Sequence, residues 1–192
     1  MDKIKVGFAL TGSFCTFNQV ITEIGKLVSK GYDVWPIMSE YASVTDTRFG
    51  RASDFINQLE GMTGHRVLST IVETEPVGPT KMFDIMIIAP CTGNTLAKLA
   101  NSITDTCVCM AAKSHLRNAR PLVLAPSTND ALGGSAKNMG QLLNYKNIYF
   151  VPMAQDDAQA KPRSVVSDFT KIPQTLESAL TDQQLQPILL GK

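Results

Sequence analysis

The chain has 192 residues, of which 44% are hydrophobic and 18% charged, and its formal net charge is +1 at pH 7. This length and composition favour one α/β domain that buries a core without disulfides. The nearly neutral charge, with no basic face or run of Lys and Arg interleaved with aromatics, argues against nucleic acid or an anionic membrane as partner.

Six short strands are predicted, most of them as the continuous apolar runs that are typical of strands covered by helices on both faces. They span residues 4–10, 33–38, 66–70, 84–89, 121–125 and 148–151. Helices are predicted over 16–30, 52–62, 94–100, 105–118 and 136–144. The polar segment 155–167 predicts a long loop, followed by a helix over 173–180. The apolar tail 185–190 is typical both of a packed segment and of a frayed end.

The alternation of strands and helices predicts a doubly wound parallel sheet of order 3-2-1-4-5-6. In that order the loops after the first and fourth strands lie side by side, at the switch point where open α/β sheets bind ligands. These loops are residues 11–13 and 91–94, and both are polar. A ligand crevice is therefore predicted where they meet, with free N–H groups at the helix starts facing an anionic or polar ligand.

The loop after the first strand is Thr11-Gly12-Ser13. Gly12 permits close backbone approach, and Ser13 would either bind a phosphate or simply cap the following helix. Because no further glycine occurs before Gly25, the loop lacks the G-x-G-x-x-G pattern of nicotinamide dinucleotide sites. Ser39, at the end of the second strand, would complete a phosphate cradle with Ser13, although serine after a strand often only begins a turn.

A third polar loop, Pro126-Ser127-Thr128-Asn129, follows the fifth strand and is expected at the same edge of the sheet. Gly133 and Gly134 come soon after it and suggest mobility or a close ligand approach. An ordinary solvent-exposed loop explains these residues equally well.

The remaining chemistry-bearing residues form no recognisable catalytic or metal site. His65 and His115 are the only histidines and are interpreted as structural, which leaves Ser/His/Asp catalysis unsupported. Cys107 and Cys109 lack the spacing and partner pair of a zinc site, so no metal is predicted and the cysteines are expected to be thiols. The N-terminus does not resemble a signal peptide and no apolar run approaches about 20 residues, so a cytoplasmic location is expected.

Residues 87–100, Ile-Ile-Ala-Pro-Cys-Thr-Gly-Asn-Thr-Leu-Ala-Lys-Leu-Ala, with Thr11-Gly12-Ser13 and Ser39, resemble the flavoprotein superfamily. This group holds the homo-oligomeric flavin-containing cysteine decarboxylases and the flavin prenyltransferases. The resemblance implies a Rossmann-like three-layer α/β/α sandwich, assembled into trimer-based homo-oligomers with an FMN site at subunit contacts. It also implies a single domain over residues 1–192, with its core at 3–152 and a C-terminal loop and helix at 153–192.

Carried over by position, the resemblance implies where an FMN cofactor would bind. Gly12, Ser13 and Ser39 would hold its phosphate. The ribityl chain and ring would lie against Phe14, Cys91, Thr92, Gly93, Asn94 and Thr95. The expected carboxylate contacts of a small substrate are Ser127, Asn129, Lys161 and Arg163, of which Arg163 can pair two oxygens at once. No catalytic residue is assigned.

The chain also departs from the patterns of its superfamily. The decarboxylases carry a Pro-Ala-Met-Asn loop, which here is Pro126-Ser-Thr-Asn129, and their catalytic histidine has no match within residues 41–64. Met110 and Thr128 stand where the prenyltransferases have an arginine and a glutamate. The key groups of both chemistries are therefore absent, while the phosphate pocket is retained.

Within the superfamily, the resemblance is strongest to synthase subunits of spore-forming bacteria that make a cyclic dicarboxylic acid, and it includes the loop Lys161-Pro-Arg-Ser164. It implies an oxidoreductase subunit in the mother cell of a sporulating bacterium, acting on a small dicarboxylate with a second subunit that carries NADP. Two alternatives stay open: a stand-alone FMN-dependent decarboxylase, and a non-catalytic subunit that shapes its partner.

Overall fold

The computed structural model describes residues 3–191 and contains a central sheet flanked by helices. The strands are β1 (Lys5–Leu10), β2 (Asp33–Met38), β3 (Ile85–Cys91), β4 (Leu122–Thr128), β5 (Ile148–Phe150), β6 (Met153–Ala154) and β7 (Val165–Ser167). The α-helices are α1 (Phe17–Ser29), α2 (Glu40–Val44), α3 (Ala52–Thr63), α4 (Ile71–Thr74), α5 (Gly93–Ala100), α6 (Cys107–Leu116), α7 (Ala136–Leu143) and α8 (Ile172–Ala179). Within the described residues, no helix combines the length and the apolar character that crossing a bilayer requires.

The parallel part of the sheet runs in the order β2-β1-β3-β4-β5, so the predicted α/β class is confirmed. Side chains of its central strands alternate between two apolar cores, one on each face. Ile87 of β3 is fully buried in one core and its neighbour Ile88 is fully buried in the other. This double coverage explains why the strands read as continuous apolar runs, and it leaves the strand ends as the places for polar chemistry.

The predicted strand at 66–70 is wrong, because only Leu68 forms a bridge, to Ile37 of β2. Leu68 faces β2: its N–H donates to the carbonyl of Pro36 at 3.0 Å, and its carbonyl accepts from the N–H of Met38 at 2.9 Å. Because alternate residues of a strand face the same neighbour, the next ladder bond would need the N–H of Thr70. That N–H donates instead to Glu73 Oε2 at 3.0 Å, so the pairing does not extend beyond Leu68 on that side.

The prediction of an all-parallel, six-stranded sheet is wrong in a second place. Within segment 155–167, predicted as a loop, residues 165–167 form β7, which pairs antiparallel with the end of β4 at Ser127 and Thr128 and also with β6. The predicted C-terminal helix is present as α8. The tail hydrogen-bonds to the backbone of Met153 through the carbonyl of Ile188 and the N–H of Leu190, each at 2.9 Å, so the packed interpretation holds there.

Candidate functional site

The loops after β1, β3 and β4 meet at the carboxyl edge of the sheet around a cleft of about 1230 Å³, called the cleft below. The structure brings nine of the thirteen predicted site residues together in its lining: Gly12, Ser13, Phe14, Thr92, Gly93, Asn94, Ser127, Asn129 and Lys161. Segment 153–167 closes another side of the cleft through residues that follow β6 and precede β7. The roles assigned to these residues stay predictions.

Four predicted residues lie outside the lining: Ser39, Cys91, Thr95 and Arg163. The hydroxyl of Ser39 accepts a hydrogen bond from the N–H of Ala42 at 3.2 Å and so caps α2. Arg163 is exposed, and its aliphatic chain lies against Gly133. Neither side chain lines the cleft in this structure.

Cys91 and Thr95 are buried beneath the loop that follows β3. Burial, reinforced by the nearby Cys109, raises the pKa of the Cys91 thiol well above its usual value, so this cysteine stays neutral. The N–H of Thr95 donates to Thr92 Oγ1 at 3.3 Å, which caps the start of α5. Cys91 and Thr95 are therefore packed inside the protein next to this loop and do not line the cleft.

The first and second loops are joined by Thr11, which is 2% exposed. Its hydroxyl donates to the carbonyl of Pro90 at 2.7 Å and accepts from the N–H of Thr92 at 3.1 Å. The backbone N–H of Thr11 also donates to the Pro90 carbonyl, at 3.3 Å. Such buried, mutually satisfied groups hold two loops, remote in sequence, in one geometry.

The first and third loops meet through a pair of hydroxyls, with Ser13 Oγ and Ser127 Oγ 2.8 Å apart. A single hydrogen bond between two hydroxyls uses one of their two hydrogens, so the other is left for a ligand oxygen. Gly93 and Asn94 open α5 beside this pair, and their N–H groups have no acceptor within the helix. This corner of the cleft is consequently rich in donors and suits an anion.

Asp130 organises the third loop, and sequence reasoning missed it. Its Oδ1 accepts from Thr128 Oγ1 at 2.5 Å and from Ser135 Oγ at 2.9 Å. A Cβ added at Gly93 would lie 2.7–2.8 Å from oxygens of all three side chains, so a glycine lets α5 approach this cluster. The nearby Gly133 and Gly134 hinted at a close approach, but no sequence pattern marked Asp130 as its centre.

The opposite wall contributes Asp156, Lys161 and Ser164. Lys161 Nζ lies 3.1 Å from Asp156 Oδ2. Burial alone would raise the pKa of Asp156, but hydrogen bonds from Ser164 and Lys161 outweigh it and hold that pKa below its usual value. Lys161 thus reaches the cleft with its charge already paired. From the sequence alone, Asp156 and Asp157 are interpreted as a solvated turn, whereas in the structure Asp156 lines the cleft.

Apolar surface completes the lining, from Phe14, Phe49, Ala97 and Val166. Asn138 of α7, which is 5% exposed as a residue, adds an amide to the lining. Among residues 3–191, no group of three or more His, Cys, Asp or Glu could hold a metal ion. The cleft therefore combines flat apolar walls, a donor-rich corner and isolated amides.

Comparison with known proteins gives a consistent result. A family model described as Flavoprotein matches residues 1–175. The chain is 47% identical to the B subunit of dipicolinate synthase from Bacillus subtilis (strain 168) over 186 residues, which cover 97% of this chain and 93% of that protein. The crystal structure of the corresponding dipicolinate synthase subunit from Bacillus halodurans superposes with a TM-score of 0.90 at 44% identity, covering 100% of both chains.

More distant structures share the fold. Burkholderia xenovorans DmrB in complex with FMN, described as a cubic protein cage for redox transfer, has a TM-score of 0.70 and 17% identity. The match covers 93% of this chain and 96% of that one.

Proposed function

The chain belongs to the flavoprotein family, and on that premise we propose that it is the B subunit of a dipicolinate synthase. The protein takes part in the loss of one water and the two-electron oxidation that convert a hydroxy-tetrahydrodipicolinate intermediate of lysine synthesis to dipicolinate during sporulation, in the cytoplasm of the mother cell. The observation that carries the proposal is 47% identity to the Bacillus subtilis protein over nearly the whole length of both chains.

The cleft fits FMN by the chemistry of its donors. The Ser13–Ser127 hydroxyl pair and the free N–H groups at the start of α5 would hold the phosphate. Phe14, which lies in the cleft lining, offers a flat apolar surface to the ring. When bound, the flavin would supply a two-electron carrier at this site, and NADP would be the final acceptor of the same electron pair.

The dicarboxylate substrate would meet the amide of Asn129 and the paired cation Lys161, both of which line the cleft. An amide donates two hydrogen bonds to a carboxylate, and Lys161 adds charge once the substrate competes with Asp156 for it. Arg163 lies next to this wall in sequence and reaches a substrate through a movement of its exposed side chain.

NADP would belong to the partner A subunit, because this chain carries no dinucleotide fingerprint after β1. A trimer-based homo-oligomer, the assembly implied by the family resemblance, would place each cleft at a contact between copies. The proposed division of labour is that this chain positions the dicarboxylate and the A subunit exchanges the hydride.

Reconstitution tests the proposal. The full chain is mixed with a candidate A subunit, NADP and the hydroxy-tetrahydrodipicolinate substrate, and dipicolinate is followed by its ultraviolet absorbance. We expect product only when both chains are present. Asn129→Ala should lower the rate by about tenfold or more, because it removes donors to the substrate, while Asn57→Ala, an exposed asparagine on α3, should not. Product formed by the A subunit alone would refute the proposal.

Flavin binding is tested separately by titrating FMN and following the quenching of its fluorescence. We expect saturable binding that Ser13→Ala weakens by about tenfold, the cost of one hydrogen bond to a charged group. Ser29→Ala, a matched serine on the exposed side of α1, should bind as wild type does. If the flavin-loaded chain turns over substrate in the absence of its partner, the stand-alone flavoenzyme is favoured instead.

A further inference from the structure

A second, smaller hollow of about 320 Å³ lies between α1 and the residues that follow β7. We call it the α1 hollow; its lining consists of Gln19, Thr22, Glu23, Ser167, Asp168, Phe169 and Thr170. Val166 lines the cleft while its neighbour Ser167 lines the α1 hollow, as the alternation of side chains along a strand dictates. The hollow therefore lies on the other face of β7, and Gln19 of α1 lines both spaces.

Two side chains in this hollow carry oxygens without partners. Glu23 and Ser167 are 3% and 4% exposed. Among residues 3–191, Glu23 Oε2 and Ser167 Oγ are the buried side-chain oxygens or nitrogens that have no hydrogen-bond partner, and both residues line the same hollow. Since an unsatisfied buried carboxylate oxygen is costly, a shared location for both points to a missing donor.

The chemistry of the lining defines that donor. Glu23 Oε1 already accepts from Lys26 Nζ at 2.7 Å, and Lys26 is half-exposed on the outside of α1. Asp168 adds a second carboxylate, whose Oδ1 accepts from the N–H of Thr170 at 3.1 Å. The lining contains no Lys or Arg. Two carboxylates and a hydroxyl favour a cation, and the lack of a third acidic, His or Cys ligand makes a nitrogen cation the better fit than a metal.

We propose that the α1 hollow is a binding site for a small primary ammonium group, held by Glu23 and Ser167. Such a group carries three N–H donors on one positive centre. It donates to Glu23 Oε2 and Ser167 Oγ and leaves its third donor for Asp168 at the rim. The site is distinct from the cleft and stands independently of the synthase assignment.

Thermal unfolding of the full chain tests the site with methylammonium chloride. We expect a saturable rise in Tm, because a ligand that binds the folded state alone stabilises it. Tetramethylammonium chloride at the same ionic strength has the same charge without N–H donors and should give no such rise. Glu23→Gln should weaken methylammonium binding about tenfold or more, whereas Glu177→Gln, a half-exposed carboxylate of α8 outside the hollow, should respond as wild type.

Two further variants keep the test decisive should Glu23→Gln fold poorly. Ser167→Ala should weaken binding several-fold, the cost of one neutral hydrogen bond. Lys26→Met should strengthen it, because Glu23 then carries an uncompensated charge. An equal rise in Tm with both salts would overturn the proposal, and so would unchanged binding by Ser167→Ala.

A crystal structure grown with methylammonium must show the cation between Glu23 and Ser167. A single water there, or a direct hydrogen bond from Ser167 to Glu23, would overturn the proposal. Sedimentation of the wild type and of Glu23→Gln separates a free ligand from a cationic side chain of a second copy. If the variant changes the oligomeric state, the hollow holds a neighbouring chain and the small-ligand site is refuted.

Discussion

The two edges of the central sheet use polar residues in opposite ways. At the amino edge, His65 Nε2 lies 2.6 Å from Asp33 Oδ1, Trp35 Nε1 donates to Asp33 Oδ2 at 3.1 Å, and the His65 ring stacks on Trp35. Each of these three side chains therefore interacts with the other two. At the carboxyl edge, the hydroxyls and amides bridge loops and still leave donors facing an open cleft.

The polar groups of a second cluster at the amino edge are also paired with one another. Asp84 Oδ2 accepts from the N–H of Lys5 at 2.9 Å, and Arg120 Nη1 lies 3.5 Å from Asp84 Oδ1 while also donating to the carbonyl of Phe83. The difference between the edges teaches that polar residues at strand ends indicate function only where the tertiary structure leaves them incompletely satisfied.

The largest expected effect on stability comes from Gly7 of β1. A Cβ added there would overlap the ring of Phe83, in the packed amino half of the sheet. We expect Gly7→Ala to lower the free energy of unfolding by about 3 kcal/mol, measured by urea denaturation. Gly61→Ala, on α3 where no atom would meet the new Cβ, should instead raise it by up to about 1 kcal/mol. FMN affinity of the folded fraction should not change; a loss there would mean that the two edges are coupled.

Gly93→Ala applies the same change to the carboxyl edge. Its Cβ would lie 2.7 Å from Ser135 Oγ and 2.8 Å from Asp130 Oδ1, so we expect a loss of about 2 kcal/mol in stability. Here FMN binding should also weaken strongly, because the start of α5 is displaced. Gly140→Ala on α7, with open space around it, is the control. Normal FMN binding by Gly93→Ala would show that the start of α5 does not form the ligand corner.

Thr11→Val tests the bridge between the first two loops. The change leaves the Pro90 carbonyl without its hydroxyl donor and the Thr92 N–H without its acceptor in a buried place. We expect a loss of about 1–2 kcal/mol, measured by denaturation. Thr80→Val removes an equivalent hydroxyl-to-carbonyl bond that is exposed to solvent, and should cost less than about 0.5 kcal/mol. Equal losses would mean that burial adds nothing at this bridge.

The smallest effect is expected at the amino edge, from Asp33→Asn. Burial raises the pKa of Asp33, but hydrogen bonds from His65 and Trp35 outweigh it and hold that pKa below its usual 3.8. A lowered folded pKa adds stability above the unfolded value, and this stability is lost as pH falls through the folded pKa. The stability difference from wild type should be at most about 1 kcal/mol near neutral pH, since the pair is partly exposed. In urea unfolding it should shrink below pH 3.8; growth there would contradict the assignment.

Much of the fold was predictable because hydrophobic patterning acts locally. The apolar runs of β1 and β3 and the helical spacing of α1 predicted those elements within one or two residues of their ends. The strand predicted at 66–70 failed because the carboxylate of Glu73 takes the N–H of Thr70, which the next ladder bond to β2 would need. No apolar periodicity reports such a competition.

The loops that meet in the cleft were predictable from the sequence, whereas some of the residues around them were not. Gly12, Ser13 and Asn94 follow strands, and strand order alone places the ends of neighbouring strands together. Ser39 has the same type of position, yet its hydroxyl caps α2. Asp130 was missed because its role depends on the close approach of Gly93, which comes from a distant part of the chain.

The sequence by itself determined the class of fold, the order of the parallel strands and the loops that carry polar chemistry, because burial and chain connectivity depend on the local pattern of residues. Only the tertiary structure decided which polar groups are paired, as with Thr11, and which keep a free donor or acceptor, as with Ser13 and Glu23. Whether a donor or acceptor is satisfied depends on distances of a few tenths of an ångström between segments far apart in the chain.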